Sequence, residues 1–181
     1  MVFQSRTLAA VGFSLAAALP LAAHAGTQSF DVHARENSVA IFSGDATPLN
    51  TGITVAVGDL LIVSATGLWD GGGCGAVDAN GTSCFGNEPL TGINYFSLIG
   101  KIGANASFDN TWFKLGTSYA GSAATSGTLY LAYLDNDSFN NSGFVTATVS
   151  AVPEPGTYAL MLAGLLGMGA LAKRRRAARQ G

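Results

Sequence analysis

Histidine is almost missing from this chain of 181 residues. There are two, and one, His24, sits in a segment that reads as a removable leader, so His33 stands alone. A hydrolase needs a positioned acid–base pair or a nucleophile with an adjacent base. One histidine, no Gly-x-Ser-x-Gly and carboxylates that fall mostly in turn sequences meet neither need, and the chain is read as no enzyme. Cysteine is nearly as scarce. Cys74 and Cys84 are the only two, too few for a thiolate metal site without a neighbouring histidine and too far apart for a Cys-x-x-Cys redox pair. Basic residues are rare in the body of the chain. Between Gly26 and Ala151 only Arg35, Lys101 and Lys114 face ten acids, which leaves that segment at −7 against −2 for the whole. Such a surface repels nucleic acid and attracts cations. A sustained period of 3.6 is absent from the same segment, which argues against helices there.

The two ends are built differently. Residues 1–25, "MVFQSRTLAAVGFSLAAALPLAAHA", carry one early cation, Arg6, then an apolar run and Ala23-His24-Ala25. That order is a secretory signal peptide with its cleavage site. Export into an oxidising space makes a Cys74–Cys84 disulfide around the loop "GAVDANGTS" the default expectation. At the other end, residues 152–156 hold Val152-Pro153-Glu154-Pro155-Gly156, where the prolines fix φ and remove donors. Residues 157–172 are apolar almost throughout, somewhat short of the ~20 that span a bilayer. Residues 173–181 open with Lys173-Arg174-Arg175-Arg176, cations that fix such a span on its cytoplasmic side.

The order Val152-Pro153-Glu154-Pro155, apolar span and basic end resembles the PEP-CTERM sorting signal of Gram-negative bacteria. The resemblance implies a membrane-anchored precursor, recognition by an exosortase that removes a transmembrane helix over 157–172, and a final place at the cell surface or in the extracellular matrix. It also implies association with extracellular polysaccharide.

Between the two signals, residues 26–151 alternate with period two. In "GITVAVGD" Ile53, Val55 and Val57 face one way, Gly58-Asp59 turns, and "LLIVSATG" follows as its hairpin partner. "YFSLIGKIG", "GTLYLAYL" and "FVTATVSAV" are further strands, the last with Val145, Ala147 and Val149 inward and Thr146, Thr148 and Ser150 outward. Short strands, Gly-rich turns and no helix predict a single all-β domain, a sandwich or barrel.

One loop is unusually rich in oxygen. "DNDSFNNSG", Asp135 to Gly143, offers Asp135, Asp137, Asn140 and Asn141 within one turn region, the hard donors that calcium takes. It is no EF-hand, because Phe139 holds position five and Thr146 holds position twelve, where the bidentate Glu belongs. Taken alone, the loop is equally an Asx-rich turn whose side chains bond their own backbone.

The body is also similar to the small calcium-dependent galactose-binding lectins of bacteria, compact jelly-roll-like β-sandwiches. "GDLLIVSATGLW", "LIGKIG" and "YLDNDSFNNSGFVTATV" carry the likeness. It implies Asp135, Asn140 and Asn141 as calcium ligands, with a backbone carbonyl near Asp137 or Ser138 and another near Asp70 or Gly71. Two sugar hydroxyls would complete the shell. The loop before Asn140 is two residues shorter than that family's, so the Asp137 carboxylate is a candidate to replace the middle carbonyl. The His and Gln by which the family holds its sugar have no counterpart in "DGGGCGAVDANGTSCFGNEPLTG". Asp78, Asn80, Asn87 and Glu88 offer hydrogen bonds there instead, and a preference for galactose does not follow. Trp69 and Phe85 are the aromatics nearest this loop, and both, like Trp112, read first as core.

Two functions fit this pattern. One is a surface-displayed, calcium-dependent carbohydrate-binding domain in contact with a glycan. The other is a structural exopolysaccharide or envelope protein on the same fold, with calcium as a staple and no sugar site.

Overall fold

The computed structural model describes residues 26–39, 41–42, 45–153 and 155–178. The leader, residues 1–25, and Glu154 lie outside the described residues. Eight strands follow in order among the described residues: β1 Thr27–His33, β2 Leu49–Val55, β3 Leu60–Asp70, β4 Leu98–Gly103, β5 Phe113–Lys114, β6 Ser118–Ser122, β7 Gly127–Tyr133 and β8 Ser142–Val152. They form two antiparallel four-stranded sheets, β1-β8-β3-β6 and β2-β7-β4-β5. That order is a jelly roll, in which every connection except β4 to β5 crosses from one sheet to the other. The all-β sandwich expected from the alternation is the architecture found.

Period two explains the layers. In β8 Val145, Ala147 and Val149 are fully buried, as expected, and Leu61, Val63 and Ala65 of β3 lie beside them. From the other sheet Leu98, Ile99, Leu129 and Leu131 close the core. Each fully buried aliphatic side chain of this kind contributes roughly 1.5–3 kcal/mol. Outward residues pair across strands instead: Ser29 Oγ lies 3.0 Å from Thr148 Oγ1, and Thr146 Oγ1 donates to Asp31 Oδ1 at 2.7 Å.

One local expectation fails. β2 and β3 are not a hairpin, because they belong to different sheets. The Ala56–Asp59 turn closes on itself, with the Asp59 N–H donating to Ala56 O and Ala56 N–H donating to Asp59 Oδ2. The Gly58 and Asp59 backbone then bonds Ala123, across the connection between β6 and β7. Both flanking strands need a buried face, and the crossover gives each its own sheet. Val57 consequently leaves the alternation and is 65% exposed.

The direction of β8 fixes where things lie. It starts at Ser142, opposite Asp70, and ends at Val152, opposite Leu60. Its 11 residues span about 36 Å at ~3.3 Å each. The connections 34–48, 71–97 and 134–141 gather at its start, and the Ala56–Asp59 turn and both ends of the sandwich gather at its finish. After Pro153, α1 runs from Pro155 to Ala177. Proline suits the first helical position, where no N–H partner is required, and Arg174, Arg175 and Arg176 complement the dipole at the last turn. Every described side chain from Leu160 to Ala178 is exposed. Among the described residues no helix is long and apolar enough to cross a membrane. The span expected over 157–172 is helical, but its uncharged stretch covers only about 24 Å at 1.5 Å per residue, against a hydrocarbon core of ~30 Å.

Candidate functional site

The loop from Leu134 to Asn141 leaves one sheet and enters the other, so it is a bridge across the end of the sandwich and no hairpin tip. The last rung between β3 and β8, Asp70 opposite Ser142, sets Gly71 and Gly72 beside it. An added Cβ on Gly72 would lie 3.0 Å from Asn140 Nδ2, so the Asn140 amide is seated over that glycine. Gly71 admits no side chain at all. A Cβ there would overlap the Phe96 ring and come within 2.5 Å of Tyr133 Oη.

Much of the loop is Asx-turn chemistry, as its composition alone allows. Asp137 makes an Asx-turn in which Oδ1 accepts from Phe139 N–H at 3.2 Å, while Asp135 Oδ1 accepts from the adjacent Asn136 N–H at 2.6 Å. Asp70 Oδ1 likewise accepts from Gly72 N–H at 2.6 Å. Among the described residues, Asp135 Oδ2 and Asn141 Oδ1 are buried with no hydrogen-bond partner. The Asn141 amide nitrogen is fixed, donating to Asp137 O at 2.9 Å and to Ala34 O at 3.2 Å, which settles which end of the amide is the orphan. A buried oxygen without a partner costs about 1–3 kcal/mol, and more for a charged group. Burial pushes the Asp135 carboxyl up to about 6, against the pull of the Asn136 backbone N–H and the Asn141 side-chain amide. Tyr133 Oη is a third buried, unpartnered oxygen. Burial first, and then the Asp135 and Asp70 carboxylates, raise its pKa, so it stays a protonated donor.

Beside Asp135 lies an open pocket of about 520 Å³, lined by Gly71, Asn87, Tyr95, Asp135, Asp137 and Asn140, with Gly72, Phe85, Pro89, Phe96 and Asn136 completing the wall. Asp135, Asp137, Asn140 and Gly71 of the expected metal set are therefore brought together, and Asn141 supplies its orphaned oxygen in the same loop. The carbonyls of Asp137 and Ser138 are already in use, accepting from Asn141 Nδ2 and Asn141 N–H. Hard, neutral and anionic oxygens are the donor chemistry that calcium takes, and the two orphaned oxygens fit it. Among the described residues there is no group of three or more His, Cys, Asp or Glu that could hold a metal. A cation here would rest on Asp135, Asn140 and Asn141, with Asp137 at the rim.

The expected sugar contacts divide. Asn87 lines the pocket. Asp78 does not: its carboxylate accepts from Asn80 N–H at 2.8 Å and from Asn80 Nδ2 at 3.4 Å, which makes it a turn residue. Glu88 is spent in the same way, accepting from Leu90 N–H, Thr91 N–H and Thr91 Oγ1. Burial pushes its pKa up, but those hydrogen bonds outweigh it and leave a carboxylate held below the usual range. Trp69 is core, 1% exposed, with Nε1 donating to Phe96 O at 2.8 Å. Trp112 is also buried. Phe85 is the exception to the core reading. It is 53% exposed on the pocket wall and meets Phe96 edge to face at 5.6 Å. Tyr95, Phe96, Asn136 and Tyr133 were not expected at the site. Nothing local marks them, because Tyr95 Oη reaches Asn136 Oδ1, at 3.2 Å, only across the fold. The Cys74–Cys84 disulfide is formed and pins the loop that carries Phe85.

Residues 151–176 match the PEP-CTERM protein-sorting motif. That motif marks an exported surface protein. No curated protein matches the chain in sequence. Among solved structures the chain is similar to one described as "EclA N-terminal domain; PllA-like lectin", at 22% identity, over 68% of this chain and 94% of that one, with a TM-score of 0.50. At this identity the likeness concerns the fold. A conserved Bacillus anthracis str. Ames protein of unknown function is 15% identical over 72% of this chain and 23% of its own, and its TM-score of 0.40 is too low to bear on the fold.

Proposed function

We propose that this is a non-enzymatic surface protein that seats a calcium ion in the 134–141 bridge and binds a saccharide over it. The observation that carries the proposal is the pair of buried oxygens without partners among the described residues, Asp135 Oδ2 and Asn141 Oδ1, in the loop that lines an open pocket. Folding leaves such atoms unpaired only at a cost, and a bound cation removes it. The ion supplies positive charge for hydroxyl oxygens to approach. Asn87, Asn136 and Tyr95 supply hydrogen-bonding groups on the wall, and Phe85 an apolar face of the kind sugar rings stack on. The lectin-like fold supports the glycan reading. The precursor is exported by its leader, held at the membrane through α1 and processed by an exosortase at Val152-Pro153-Glu154-Pro155. Since β8 starts at the site and ends at the motif, the pocket faces away from the anchored end, toward extracellular polysaccharide.

A second reading has its own support. Asp78 and Glu88 spend their carboxylates on their own turns, which leaves few polar groups to orient a sugar. On that reading calcium is a staple between the sheets. A glycan array run on the exported protein with calcium and with chelator decides. Calcium-dependent retention of a saccharide supports the lectin reading, and a calcium-dependent rise in melting temperature without glycan retention supports the staple.

A further inference from the structure

The sorting motif and the folded sheet overlap. The matched motif begins at residue 151, yet Ala151 and Val152 are still paired in β8, opposite Leu61 and Leu60. Pro153 then ends the ladder, since it has no N–H to give, and α1 begins at Pro155. Two residues extend at most about 7 Å. A sorting enzyme that reads this motif must therefore work against the base of the sandwich, with no linker to hold the domain away.

That base carries unpartnered apolar side chains. Leu60 and Ile62 flank the buried Leu61 and so point to the outer face of the sheet, where they are 40% and 42% exposed. Val152 is the register partner of Leu60 and projects beside it. Val57, in the adjoining turn, is 65% exposed. The described side chains of α1 are all exposed, so from Leu160 onward the helix does not cover this patch. Scattered exposed aliphatics need no explanation, but a group that strand register sets beside the sorting motif, with another exposed valine in the adjoining turn, does.

We propose that Val57, Leu60, Ile62 and Val152 form a docking surface for the membrane-bound enzyme that cuts the tail, so that the folded domain is part of what it recognises. The proposal rests on the exosortase reading and goes beyond it, because a sorting signal is otherwise contained in its own tail. Continuity with the motif favours the enzyme as occupant. A bilayer surface is disfavoured by Asp59 in the adjoining turn and by the −7 charge of residues 26–151, which anionic headgroups repel.

The test uses the full chain in its native cells, with the fraction that has lost Arg174–Arg176 read by intact mass. Three chains accompany the wild type. One carries Leu60→Thr with Ile62→Thr, conservative for an exposed strand. Another has about six Gly/Ser residues inserted between Val152 and Pro153, adding ~20 Å of reach. The last is Pro153→Ala with Pro155→Ala. The expected result is a fall in the processing rate of about tenfold for the double Thr variant, the effect of losing a small hot spot. Its melting temperature should be unchanged, and the insertion should also slow processing. Processing of the double Thr variant at the wild-type rate overturns the proposal, as does an insertion that speeds processing, which would make the base an obstacle. Loss of vesicle binding or of self-association by the Thr variant, with processing intact, assigns the patch to lipid or to a second copy and equally overturns it. If the Pro→Ala chain is still processed, it is the exosortase reading itself that fails.

Discussion

Asp135 and Asn141 stand at the two ends of one inter-sheet bridge, and each holds a buried oxygen with no hydrogen-bond partner among the described residues. One belongs to a carboxyl and one to a neutral amide, the two kinds of hard oxygen on which the proposed calcium seat rests.

Asp135→Asn should separate these states. The change keeps the shape and removes the buried charge, so the calcium-free variant should melt at or above the wild-type temperature. Calcium should raise the wild-type melting point and leave the variant nearly unmoved. At a free concentration of ~100 Kd the stabilisation is about 2.7 kcal/mol, well within reach of a thermal melt. Glu36→Gln, an exposed residue outside the bridge, should respond to calcium as the wild type does. A wild-type melting curve that millimolar calcium does not shift would sink the metal reading.

Gly71→Ala should be far more damaging than its size suggests. The new Cβ falls on the Phe96 ring and next to Tyr133 Oη, in a region where both neighbours are fully buried. Overpacking of this kind costs typically about 1–3 kcal/mol. Denaturant melts should show that loss with and without calcium, whereas Gly75→Ala, where nothing lies within 4 Å, should lose less, its cost coming only from a φ of +75°. Equal effects at the two glycines would mean that the floor of the pocket is not packed as described.

Lys101 and Asp109 form an ion pair with one buried and one half-exposed partner. The Lys101 ammonium is almost wholly buried and donates to Asp109 Oδ2 and to Ser107 O, each at 2.6 Å. The hydrogen bond from Lys101, and then that from Thr111, hold the Asp109 carboxyl down at about 2, below its usual 3.8. A depressed carboxyl stabilises the fold above its unfolded pKa, and that contribution disappears as pH falls from about 4 through about 2. Asp109→Asn should therefore lose stability at pH 7 and converge with the wild type only as pH falls below about 2. Since Asp109 is half-exposed and screened, the loss should be about 1–2 kcal/mol, less than for a fully buried pair. A pH-independent difference would contradict the ionic account.

Reduction of Cys74–Cys84 should cost about 2–3 kcal/mol, the chain-entropy expectation for a loop this short. Native protein should show no thiol to a labelling reagent until it is reduced. Because the bridge pins the Phe85 loop and not the 134–141 bridge, the Cys74→Ser/Cys84→Ser variant should keep its calcium-induced shift while any glycan affinity falls. Loss of the calcium shift instead would tie the two loops together more closely than the hydrogen bonds indicate.

The sequence by itself determined the kind of layer, the sorting tail and the donor chemistry. Period two in "FVTATVSAV" committed Val145, Ala147 and Val149 to the core, because a strand side chain has only two directions to choose from. Pro153-Glu154-Pro155 and the cations behind it identified the tail, since such signals are read as linear order. The excess of Asp and Asn between Tyr133 and Gly143 was visible for the same reason. Tertiary structure alone decided the rest. Whether Gly58-Asp59 makes a hairpin or a crossover depends on which sheet has room for β3, and no local residue states that. That Asp135 and Asn141 keep orphaned oxygens, while Asp78 and Glu88 spend theirs, depends on backbone N–H groups that the fold brings near or keeps away. Tyr95 and Phe96 reached the pocket by long-range packing, and Leu60 met the sorting motif only through the register of β3 on β8, which is set by pairing across more than ninety residues of chain.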